Sequence, residues 1–129
     1  MPSKNLKYVI RMPTLTAAAT SNRAVYFRAP ANGPALRILE CAWMPDTTLA
    51  ADNGNYSTRT LTNDTQSLTL GTQTTQTVAD TAGTVRTIAV TGAGVRIAPG
   101  DILKLAKTHT GTGGAIGGDL VLYSEEIQS

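Results

Sequence analysis

A chain of 129 residues with one cysteine, Cys41, has room for a single core and cannot form an internal disulfide or a multi-cysteine metal site. Its 11 cationic and 9 anionic side chains leave a net charge of +2, spread without any basic run, and 5% of residues are aromatic; this argues against a nucleic-acid surface, which needs a basic patch with interleaved aromatics. No stretch approaches the roughly 18 apolar residues of a spanning helix, and no apolar leader follows Met1-Pro2-Ser3-Lys4-Asn5, so neither membrane association nor secretion is expected.

The composition favours strands. The 21 threonines are β-branched and fit a pleated surface. No window keeps apolar residues at i, i+3, i+4 and i+7 over three turns, so helices are not expected.

In chain order, residues 1–6 read as a polar arm and 7–129 as one domain. Lys7 to Met12 alternates, with Tyr8, Ile10 and Met12 on one face, and Pro13 is expected to end it. Thr14 to Asn22 reads as a loop or a single helical turn. Arg23 to Arg28 is a second strand, stopped by Pro30, Gly33 and Pro34. Ala35 to Met44 is the longest apolar run, and strict alternation puts Leu39, Cys41 and Trp43 on one face and Leu36, Ile38, Ala42 and Met44 on the other. A strand apolar on both faces is covered on both, so the second set is expected to meet a covering loop or a sister subunit.

Thr47 to Asn55 reads as a loop. Tyr56 to Thr62 is a strand, polar on both faces, and Ser67 to Leu70 is a short one. Gly71 to Gly83 fits either an edge strand or a loop. Thr84 to Val90 is a strand, Val95 to Ala98 a short strand or a bend, and Pro99-Gly100 turns the chain. Leu103 and Leu105 then point one way, with Ile102, Lys104 and Ala106 pointing the other. The connection from Thr110 to Gly118 holds five glycines and is expected to be neither helix nor strand. Asp119 to Tyr123 is the last strand. About eight strands with turn signals every 8 to 12 residues fit an all-β fold, an antiparallel two-sheet sandwich of jelly-roll type; an immunoglobulin-like sandwich is the alternative.

Candidate chemistry is sparse. Cys41 lies in an apolar strand and reads as core, and His109 is the only histidine. Neither Gly92-Ala93-Gly94 nor Gly111-Thr112-Gly113-Gly114 meets a phosphate-loop spacing. Asp52-Asn53-Gly54-Asn55 looks like part of a calcium loop, but Asn63 stands where the closing glutamate belongs, so a turn is expected. Glu125 and Glu126 are adjacent and point to opposite faces. No catalytic residue, cofactor or metal ligand is therefore assigned, and no enzymatic activity is expected.

Several segments in order resemble the capsid decoration or head-fibre type of virion protein from tailed bacteriophages. They are Tyr26-Phe27-Arg28-Ala29-Pro30, Met44-Pro45-Asp46, Asn55-Tyr56-Ser57-Thr58-Arg59-Thr60-Leu61, Ile97-Ala98-Pro99-Gly100-Asp101-Ile102-Leu103-Lys104-Leu105, His109-Thr110-Gly111-Thr112-Gly113 and Gly117-Gly118-Asp119-Leu120-Val121. The last loop departs from the pattern, with Ala115-Ile116 where a proline is expected. The resemblance implies a β-sandwich made in a host cytoplasm that assembles as a homotrimer on the virion surface and cements the major capsid protein. Capsid contacts are then expected at Pro2, Ser3, Lys4, Asn5 and Lys7 and at loop tips, which carry no fold duty. Subunit contacts are expected at Leu36, Ile38, Ala42 and Met44. A tail, baseplate or carbohydrate-binding module is the alternative.

Overall fold

The computed structural model describes residues 5–15, 21–92, 95–114 and 116–127. Among the described residues nine strands follow one another: β1 (Asn5–Leu15), β2 (Ser21–Arg28), β3 (Ala35–Pro45), β4 (Tyr56–Asn63), β5 (Leu68–Thr74), β6 (Arg86–Ile88), β7 (Arg96–Ile97), β8 (Ile102–Thr110) and β9 (Ile116–Ile127). They form two antiparallel sheets. One runs β1-β9-β3-β6, with β7 also on β3, and the other runs β2-β8-β4-β5. The first strand pairs with the last, the second with the next to last, the third with β6 and β7, and β4 with β5. This nested pairing is the double Greek key of a jelly roll.

The core lies between the sheets. Leu36, Ile38, Cys41 and Trp43 of β3, with Leu120 and Leu122 of β9, face Leu61 of β4, Leu70 of β5 and Leu103 and Leu105 of β8. β4 and β8 alternate buried and half-buried positions because one face is inside and the other looks outward. On β4 the outward set is Tyr56, Thr58, Thr60 and Thr62, side chains that suit a half-exposed pleated face.

Four expectations are corrected. β1 begins at Asn5 and continues through Pro13, where a register shift between Met12 and Leu15 takes up the missing donor. The arm expected over residues 1–6 thus loses Asn5 and Leu6 to β1; Met1–Lys4 lie outside the described residues, as do Ala17, Ala18 and Ala19. The strict alternation of β3 also fails. A bulge between Ile38 and Glu40 inserts Leu39, which is 48% exposed, so Leu36 and Ile38 face inward together with Cys41 and Trp43.

The strand expected over Thr84–Val90 shrinks to Arg86–Ile88. Finally, the glycine-rich connection ends earlier than expected, and Gly117 and Gly118 sit inside β9. There the backbones of β9 and β3 approach closely. A Cβ on Gly118 would strike the carbonyl of Met44 and the backbone of Pro45, so glycine is required for proximity.

The two sides of the sandwich differ. On one side β5 and β6 are tied across the sheets. The Thr91 amide donates to the Leu70 carbonyl at 3.0 Å, and Gln73 Nε2 donates to the Thr87 carbonyl at 3.1 Å. On the other side lie the sheet ends β1 and β2, joined by Tyr8 packed against Phe27, with centroids 4.5 Å apart and ring planes tilted by 47°.

Candidate binding face and the buried ionic cluster

Alternation along β4 turns Arg59 inward, where its side chain is 1% exposed. Its Nη1 donates to Asp80 Oδ2 and its Nη2 to Asp80 Oδ1, both at 2.8 Å, a bidentate fork. Arg86 Nη1 donates to the same Oδ1 at 2.9 Å, and Arg59 Nε donates to Gln73 Oε1 at 2.8 Å. The guanidinium carbon lies 4.8 Å from the centre of the Trp43 ring. Burial pushes the Asp80 carboxyl upward, but hydrogen bonds and charge from Arg59, then Arg86, outweigh it and hold Asp80 below its ordinary value. Asp80 sits on a loop that is bridged to Leu49 by paired backbone bonds of 2.8 and 2.9 Å. The cluster therefore pins the loops before β4 and after β5 to the core. Both carboxylate oxygens are engaged by guanidinium groups, so its chemistry is structural.

The other titratable candidates also have local duties. Cys41 is fully buried, and desolvation pushes its thiol up to about 12, so it stays protonated and unreactive at neutral pH. Asp52 Oδ1 accepts the amides of Gly54 and Asn55 at 2.9 and 3.0 Å, the turn expected from the sequence. Asp101 Oδ2 accepts Asn63 Nδ2, Gln66 Nε2 and the Ala98 amide, closing the turn before β8. His109 lies in β8, opposite Ser57. The glycine loop after β8 is held to the start of β4: Asn55 Oδ1 accepts the Thr112 amide at 2.9 Å, and Ser57 Oγ accepts the Gly114 amide at 3.0 Å. Among the described residues no three histidine, cysteine or carboxylate side chains converge on a metal position. A cleft of about 550 Å³ at one end of the sandwich has Arg96 and Glu126 on its walls with Pro34, Pro99 and Ile127.

The outer face of the five-stranded sheet has a different character. Val9 of β1, Val121 of β9 and Ala42 of β3 lie side by side in register, and the next row is Lys7, Tyr123 and Glu40. Val9 is 57% and Tyr123 38% exposed, and Met44 is half-buried on the same face. Ion pairs frame this apolar stripe. Arg11 pairs with Asp46 and reaches Asp119 at 3.6 Å, and Arg37 pairs with Glu125 at 3.0 Å. The hydrogen bond from Arg11 holds the Asp46 carboxyl below the usual carboxylate range.

The residues assigned from sequence are thus scattered. Pro2, Ser3 and Lys4 lie outside the described residues, Asn5 pairs with Glu125 inside β1, and Lys7 is exposed opposite Tyr123. Leu36 and Ile38 are enclosed by the chain's own core and offer no surface to a subunit. Ala42, itself 5% exposed, and Met44 do lie on the outer face, beside Val121 and Asp119. Sequence reasoning missed the Arg59–Asp80–Arg86 cluster. Its signal was the odd placement of Arg59 at a core-facing position of β4; its partner stands 21 residues away on a loop. Comparison with family models, curated proteins and solved structures returned no match, so the resemblance to phage virion proteins stands on its own residues.

Proposed function

We propose that this chain is a non-enzymatic structural protein of a tailed-phage virion that decorates and cements the outer capsid surface, working in oligomers whose count the resemblance puts at three. The observation that carries this reading is the outer face of the five-stranded sheet. It combines exposed Val9 and Tyr123 with half-buried Val121 and Met44, inside a frame of ion pairs that neutralise one another. Such a face favours contact with protein over attraction of a polyanion or a charged substrate. The jelly roll supports the reading by analogy, since capsid and lectin domains share it. A protein that binds the assembled shell and not its free subunits stabilises the shell by mass action.

The test is mass spectrometry and electron microscopy of purified particles of the source phage. Ordered copies on the shell are expected, with occupancy lowered by deletion of Met1–Lys4 without loss of fold. Absence from the particle, or confinement to the tail, overturns the assignment.

A further inference from the structure

We propose that the turn joining β2 to β3 is a site of spontaneous covalent change: Asn32 closes onto the Gly33 amide nitrogen and opens again as aspartate or isoaspartate, whereas the same dipeptide at Asn53-Gly54 is held inert by its surroundings. This goes beyond the assembly role above and holds whether or not the chain decorates a capsid. The sequence contains two Asn-Gly pairs, and both asparagines are exposed. Glycine permits the reaction, because without a Cβ it neither shields its nitrogen nor restricts the rotation that brings the nitrogen to the side chain. Dipeptide and exposure are thus alike at the two positions, and hydrogen bonding separates them.

At Asn53 both reacting groups are engaged. Asn53 Oδ1 accepts Gln76 Nε2 at 2.7 Å, which fixes the side chain. The Gly54 amide donates to Asp52 Oδ1 at 2.9 Å, and the Asn55 amide donates to the same oxygen at 3.0 Å. These amides hold the Asp52 carboxyl below its ordinary value, so it stays ionised. The nitrogen attacks only after losing its proton, and a carboxylate beside it opposes the negative charge that results. At Asn32 no hydrogen bond restrains the side chain among the described residues. The Gly33 amide donates to the neutral Pro30 carbonyl at 3.2 Å, the long end of the usual range. Ala29 is tied to Asp101 at 2.9 Å and Ala35 begins β3; between them this bond alone closes the turn.

In the reaction the Gly33 nitrogen gives its proton to solvent and bonds to Asn32 Cγ. The bond from Cγ to Nδ2 breaks, and the amide nitrogen leaves as ammonia. Water then opens the five-membered imide. Cleavage at Cγ leaves aspartate; cleavage at the backbone carbonyl leaves isoaspartate, whose main chain runs through Cβ and Cγ. Either product lowers the net charge of +2 by one. The new carboxylate stands beside Gly33 and Pro34, which line the end cleft with Arg96 and Glu126. Turns of this kind tolerate such change because little of the fold depends on their backbone.

Peptide mapping of the aged native chain tests this. After incubation in mildly alkaline buffer, trypsin releases residues 29–37 with Asn32 and residues 38–59 with Asn53. Fragmentation should place the amide-to-acid mass change at Asn32, labelling by isoaspartyl methyltransferase should mark the same peptide, and the rate should rise with pH. In concentrated urea both asparagines should convert at similar rates. In the folded chain Asn32 should stay close to that rate, while Asn53 should be at least about tenfold slower, since a hydrogen bond to a charged group must break first. Gly33→Ala should suppress the change at Asn32, and Asp52→Ala combined with Gln76→Ala should release Asn53. An Asn32 that converts in urea but persists in the folded chain overturns the proposal. Native Asn53 converting as fast as Asn32, or staying slow in the double variant, overturns the protection assigned to its hydrogen bonds.

Discussion

At the scale of single residues, Asp80 matters most. Its carboxylate compensates two guanidinium groups in a region where Arg59 and Asp80 are each 1% exposed. Removing one partner of a buried pair leaves an uncompensated charge and costs about 3–5 kcal/mol, against a total stability of roughly 5–15 kcal/mol for a domain. Asp80→Asn should therefore shift urea denaturation strongly to lower midpoint. A triple variant, Arg59→Met with Asp80→Leu and Arg86→Met, should recover much of that loss, since no guanidinium is then left without its carboxylate. Cys41 makes a separate prediction. With its thiol raised to about 12 by burial, it should resist iodoacetamide at pH 8 while folded and react readily in denaturant. Fast alkylation of the native chain would contradict the packing of β3 against β4 and β8.

At the scale of elements, the strands were legible where apolar and polar residues alternate, as in Tyr8, Ile10 and Met12 of β1 or Leu103 and Leu105 of β8. They were illegible where a bulge resets the alternation. One extra residue, Leu39, moves Leu36 and Ile38 from the expected outer face to the core, and periodicity alone carries no sign of it. The same limit applies to Gly117 and Gly118. Glycine argues against a strand interior unless a neighbouring backbone comes so close that only glycine fits, which is a property of β3 and not of β9. Gly118→Ala should therefore cost about 1–3 kcal/mol, the usual penalty for forcing atoms into a filled space. Thermal denaturation checks this, and a neutral substitution would mean that β3 and β9 separate more easily than their pairing implies. The candidate face was half legible: Ala42 and Met44 were assigned to a subunit interface, whereas Val9, Val121 and Tyr123 join them only through the register of β1, β9 and β3. The ionic cluster was illegible because nothing local joins Arg59 to a loop aspartate.

At the scale of the whole molecule, the carboxylates set the response to acid. Asp80, Asp46 and Asp52 are all held below their ordinary values. A carboxyl lowered in the folded state contributes stability that is complete above its unfolded value, about 3.9, and is lost as pH falls through the folded value. Stability should hold from neutral pH down to about 5 and fall steeply below about 4, as measured by denaturation across that range. Asp80→Asn should flatten the acid limb; an unchanged limb would remove Asp80 as its main source. The order of the strands has a consequence during synthesis. β9 is made last, yet it sits between β1 and β3 and joins them. Translation proceeds at about 5–20 residues per second, so the opening strands wait several seconds without their partner. All nine strands must leave the ribosome before this half of the protein can close. A premature stop before Ile116 would leave apolar β1 and β3 unsheltered, a product fit for chaperones and proteases alone.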